Sequence, residues 1–152
     1  MVDGVGEVET FGFFPADHAE VIGGKVYANG AFWTLLRFPT YPQVIPTVSL
    51  VTVLSVPPYE FGRDHAMVIG MMDADGGELP LRAEGTFRVD PGVELRAGES
   101  AVVPIAITVT GLRLERAGEY AFRLFVDGDE LDRYGFRASQ VDPPSVRRDP
   151  LV

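Results

Sequence analysis

The stretch "RAGEYAFRLFVDGDELDRYGFR", Arg116 to Arg137, decides the fold. It sets Tyr120, Phe122, Leu124 and Val126 two residues apart, the period that places all four on one face of a β-strand. Asp127-Gly128 follows, a pair that supplies the positive φ angles of a tight hairpin turn. Beyond it apolar and polar residues alternate again, so the stretch is predicted to be a β-hairpin. Its register stays open. With a three-residue loop, Tyr134 and Phe136 face Phe122 and Tyr120 inside the fold, and Phe125 and Leu131 form an outer apolar pair between Arg123 and Arg133. A slip of one residue reverses these faces. The first register is preferred because it buries more aromatic surface.

Outward from this hairpin the same rhythm recurs every ~8–12 residues, with turn residues between the runs. A first strand, Glu9 to Phe14, is expected to stop at Pro15. "DHAEVIGGKVYANGAFW", Asp17 to Trp33, reads as two short strands around Gly23-Gly24. "TVSLVTVLSV", Thr47 to Val56, is apolar on both faces, which predicts a central strand buried on both sides. "HAMVIGMMD" and "ELPLRAEGTFRVD" flank "DADGG" as a second hairpin, and Pro80 and Gly85 put its return strand at an edge or a bulge. In "SAVVPIAITVT", Ala101, Val103, Ile105, Ile107 and Val109 share one face, while Pro104 on the other face limits the strand to an edge or an irregular pairing. Arg37 to Pro46 is broken by prolines and predicted irregular, and Arg113 to Arg116 offers at most one helical turn. The expectation is an all-β, immunoglobulin-like antiparallel β-sandwich of about seven to nine strands, its topology open. It occupies residues 1–140 as one domain, followed by a Pro/Arg-containing tail, 141–152. "AGEY", Ala117 to Tyr120, resembles the tyrosine corner of immunoglobulin-like sandwiches, with Phe122 where those domains carry a cysteine.

Composition narrows the function. The chain has 152 residues and a net charge of −9, which argues against a phosphate-backbone partner and hence against nucleic acid. There is no cysteine, so no thiolate metal site and no thiol nucleophile; this fits a cytoplasmic setting. The N-terminus, "MVDGVGEVETFGFF", lacks a basic start before an apolar run and does not read as a signal peptide. No run of ~18 apolar residues predicts a membrane span. A single lysine, Lys25, accompanies twelve arginines, a bias suggestive of a GC-rich bacterial genome.

"ADHAEVIGGKVYANGAFWTL", Ala16 to Leu35, resembles the start of a family of small bacterial proteins of unassigned function. The resemblance continues through "DHAMVIGMMDADGGEL" and "GEYAFRLFVDGDEL" and covers roughly Ala16 to Ala138. It implies a β-sandwich and supplies no catalytic residues; the C-terminal tail lies outside the pattern.

Candidate chemistry is sparse. The two histidines each follow an aspartate, in Asp17-His18 and Asp64-His65, but strand neighbours point to opposite faces, so neither aspartate is placed to orient its own imidazole. Both are read as strand-end residues. Asp73, Asp75 and Glu78 are the best candidate oxygen ligands for a cation such as Ca²⁺; the plainer reading is a hairpin turn. No cofactor is expected. Trp33, Arg37, Phe38 and Tyr41 gather residue types enriched at interfaces, and Arg147 and Arg148 stand ready to pair with acidic surface. The expected function is therefore non-enzymatic: protein–protein contact as an assembly subunit or homo-oligomer, with Phe125 and Leu131 as further contact candidates. The alternative is a small-ligand or carbohydrate-binding module that uses Trp33, Phe38 and Tyr41 as a stacking platform.

Overall fold

The computed structural model describes residues 7–90, 92 and 95–142. They form strands β1 (Glu9–Ile22), β2 (Lys25–Ala31), β3 (Leu35–Phe38), β4 (Gln43–Val56), β5 (His65–Asp73), β6 (Glu78–Phe87), β7 (Ala101–Leu114), β8 (Gly118–Val126) and β9 (Asp129–Gln140), with a 3-10 turn at Pro58–Glu60. Two sheets result, ordered β2-β1-β4-β7 and β3-β9-β8-β5-β6. This is the expected all-β sandwich. One pair, β3 with β9, runs parallel; the others are antiparallel.

The hairpin that opened the reading seats the aromatic centre of the core. Tyr120 pairs with Phe136 and Phe122 with Tyr134, as the preferred register requires. Phe122 and Phe136 stack at 4.9 Å, and Trp33 meets both rings edge-on at 6.2 and 5.3 Å. The loop differs from expectation. Asp127 (φ 51°) and Gly128 (φ 87°) make a two-residue turn, and a bulge opposite Leu124 and Phe125 absorbs the extra residue, Leu131. Leu131 therefore packs against the core and does not pair with Phe125, which lies opposite Glu130. Tyr120 donates its hydroxyl proton to the Arg116 carbonyl at 2.5 Å, tying the β7–β8 link to the strand that follows.

β4 is central and buried continuously from Val48 to Thr52, whereas β6 and β7 are edges, as their prolines predicted. Three other expectations are corrected. β1 does not stop at Pro15: the Pro15 carbonyl accepts from Phe32 N–H, so the proline nitrogen faces the side where the β2 ladder has ended and no donor is missed. Arg37 to Pro46 is not irregular throughout, because Arg37-Phe38 belong to β3 and Gln43 to Ile45 pair with Leu112 to Leu114. That same pairing keeps Arg113-Leu114 in a strand rather than a helical turn.

Candidate functional site: an uncharged sheet face

Alternation along β4 sends Val48, Leu50, Leu54 and Val56 into the main core, so Ser49, Val51, Val53 and Ser55 face outward. Register then builds the outer surface of the four-stranded sheet in rows. Ala16, Ser49 and Thr108 form one, Phe14, Val51 and Ala106 the next, Gly12, Val53 and Pro104 a third, and Ser55 meets Val102 beyond them. None of these side chains is charged; Glu9, opposite Ser55, marks the edge. Ser49 is satisfied without solvent, accepting from Ala19 N–H at 3.0 Å and sharing a 3.1 Å hydrogen bond with the Thr108 hydroxyl.

A small second core forms on this outer face. Ala16, Ala19 and Val51 are buried there beneath Phe14, Val26, Ala31 and Ala106. Phe32 closes it by stacking on Phe14 at 4.1 Å and 22°. The lid is itself left in water: Phe32 is 61% exposed, and Phe11 of β1 and Val102 of β7 are 67% and 60% exposed. Phe32 also holds φ at 63°, a left-handed backbone that bulky residues avoid and that costs on the order of 1–3 kcal/mol. Gly30, at φ 61°, makes the approach to it. The chain thus maintains an unfavourable backbone angle to hold an aromatic ring over an apolar, charge-free surface.

At one end of the sandwich lies a polar cluster that sequence reasoning missed. His65 is buried at 3% exposure, with Nδ1 at 2.6 Å from the Asp127 carboxylate and Nε2 at 3.6 Å from the Glu60 carboxylate, and its ring stacks on Phe87 at 5.0 Å. Asp127 also accepts from Ala66 N–H at 2.9 Å. Neighbouring Asp64 plays no such part, as strand geometry implied, but an aspartate 62 residues away does. The imidazole is enclosed, so the cluster joins the β4–β5 link to the β8–β9 turn. Burial raises the Asp127 pKa, yet the hydrogen bonds from His65 and Ala66 outweigh it and hold the carboxyl below its ordinary 3.8. A carboxyl depressed on folding contributes its stabilisation above pH 3.8 and loses it as pH falls through the lower folded value. Asp127→Asn is accordingly expected to cost about 1 kcal/mol at neutral pH, the group being half exposed. Denaturant unfolding should show the gap from wild type closing below pH 3.8; a gap independent of pH contradicts this reading.

The other candidate residues are placed as follows. Trp33, Phe38 and Tyr41 are half-buried and pack against the core, with Tyr41 donating to the Ser139 carbonyl at 2.8 Å. Arg37 is exposed. Asp73 accepts from Asp75 N–H and Gly77 N–H at 3.0 and 2.8 Å, which makes it the organiser of the β5–β6 turn. Arg116 approaches Asp73 and Asp75 at 3.8 and 3.7 Å, and Glu78 opens β6. Among the described residues no three His, Asp or Glu side chains group to hold a metal ion. Nor does any helix run long and apolar enough to cross a membrane. Arg147 and Arg148 lie outside the described residues. The outer-face residues left a sequence signal in "FGFF" and "NGAFW", where Phe14 and Phe32 add aromatics that the inner face does not use.

Fold and surface together define a two-sheet β-sandwich with one uncharged, aromatic-capped face. The chain belongs to a family of unknown function (DUF6941), whose pattern it matches over residues 12–139. No curated protein matches it in sequence. Among solved structures, a β-glucosidase from Listeria innocua in complex with glucose is similar at a TM-score of 0.47 and 6% identity, over 90% of this chain and 16% of that one. The Pseudomonas fluorescens alkylpurine DNA glycosylase AlkC, bound to DNA containing an abasic site analog, is similar at a TM-score of 0.35 and 13% identity, over 83% of this chain and 30% of that one. The chain thus spans less than a third of the length of either neighbour.

Proposed function

We propose that this chain is a non-enzymatic assembly subunit in the cytoplasm, and that the uncharged outer face of the four-stranded sheet is its docking surface. The observation that carries this reading is Phe32: an exposed aromatic ring on a left-handed backbone, over an apolar face, on a chain of net charge −9. Exposed large apolar side chains on an uncharged face of this kind mark protein contact. The occupant the face fits is a second copy. Its β1–β2 half projects Phe32, while β7 lies lower at Pro104, Ala106 and Thr108, so a two-fold axis sets the projecting ring of each copy on the flatter part of the other. An immunoglobulin-like topology is part of the same reading. The runs β1-β4-β7 and β9-β8-β5 follow the A-B-E and G-F-C orders of that fold, and the Tyr120 hydroxyl anchor supports it.

Sedimentation velocity at roughly micromolar to 100 µM protein tests the proposal. The wild type is expected at twice 16.6 kDa, and Phe32→Asp at 16.6 kDa with its melting transition retained. A wild type that stays at single mass across this range removes the second copy as occupant. A different protein held through the same face, and lost in Phe32→Asp, would take its place.

A further inference from the structure

The five-stranded sheet carries a separate feature on its outer face. Gly70 of β5 lies directly between Arg82 of β6 and Arg123 of β8, and Arg133 of β9 continues the row. Neighbouring strands stand about 4.8 Å apart, so the two guanidinium-bearing positions flank a glycine gap of about 10 Å. A Cβ built on Gly70 would meet only the Leu81 carbonyl, at 3.9 Å, so the space is open. Here lies a groove of about 520 Å³, with Val68 and Ala66 along its floor and Phe125 on one side. Its size falls in the range of small-molecule sites.

The arginines are held in place. Arg123 lies over the Phe125 ring at 4.8 Å and bonds Glu130 through Nε and Nη2. Arg133 shares that carboxylate, and together the two arginines lower the Glu130 pKa to about 2. Arg82 bonds Glu84 through Nε. These bonds leave Nη1 of Arg123 and both Nη atoms of Arg82 as donors toward a ligand, since a guanidinium offers five N–H groups. Glu78 is the one acid among the described residues that line the groove.

We propose that this groove binds a small amphipathic carboxylate, its head between Arg82 and Arg123 above Gly70 and its apolar body on Val68 and Phe125. Guanidinium N–H donors left unused beside an apolar floor are the complementarity that suits a carboxylate head with an apolar body. The proposal stands independently of the dimer.

Titration calorimetry of the full chain with sodium octanoate tests it. The wild type is expected to bind saturably below about 10 mM, with Arg82→Gln weakening binding about tenfold. Gly70→Leu, which fills the gap, should abolish binding while the protein melts cooperatively. Glu78→Gln should tighten binding severalfold by removing the facing negative charge. Absence of saturation in the wild type, unchanged affinity in Arg82→Gln, or weaker binding in Glu78→Gln overturns the proposal. Should Gly70→Leu fail to fold, the two charge variants decide.

Discussion

Phe122→Ala is expected to destabilise the protein by about 3–5 kcal/mol, the usual cost of deleting a core phenyl ring, and to lower its melting temperature by on the order of 10 °C. Phe122 is fully buried on β8. It stacks on Phe136, which itself stacks on Tyr120 at 5.5 Å, while Trp33 wedges against both Phe122 and Phe136. Removing this ring from the end of the stack opens a void that the two strands, locked by their ladder, are poorly placed to close. Phe122→Leu, which keeps most of the volume, should cost less than half as much. Thermal unfolding of the two variants checks the ordering; equal losses would mean that the void does not set the cost and that the ring contacts themselves carry it.

Gly30→Ala carries the second large effect. Gly30 has φ 61°, where an added Cβ costs about 1–2 kcal/mol. That Cβ would also lie 2.2 Å from Asp17 Oδ2 and 3.1 Å from Asp17 Cβ, too close for either atom to stay. The total is expected to exceed about 2 kcal/mol. Because Gly30 shapes the approach to Phe32, the ring should also lose its place over Phe14. Asp17→Gly in the same chain is expected to recover the steric part and leave the backbone part, a coupling that a double-mutant cycle isolates. Full additivity of the two substitutions would contradict the contact.

Much of the fold was legible because period-two patterning acts locally. The inward row Tyr120, Phe122, Leu124, Val126 chose its own register by aromatic burial, and Pro80 and Pro104 marked edges through their missing donors. What failed depended on distant partners. Pro15 reads as a stop until Phe32 is seen to end the neighbouring ladder at that point. Leu131 reads as outward until the bulge rotates it. His65 does stand at the end of a strand, opening β5, but its two carboxylates come from Glu60 and from a turn on another strand, which no local pattern shows. The aromatic cluster Trp33, Phe38 and Tyr41 had the composition of a contact surface, yet the parallel pairing of β3 with β9 draws it against the core. The candidate surface lay instead on residues whose alternation was noted only for its inward half.

A single cysteine settles the matter most directly, since the chain contains none. In Val102→Cys the thiol replaces an exposed residue on the docking face and preserves its size and apolarity. If two copies meet there, maleimide should label it about tenfold more slowly than the same cysteine in a Phe32→Asp background, where the copies separate. Equal, fast labelling in both proteins would show that the face stands open to water and that nothing docks on it.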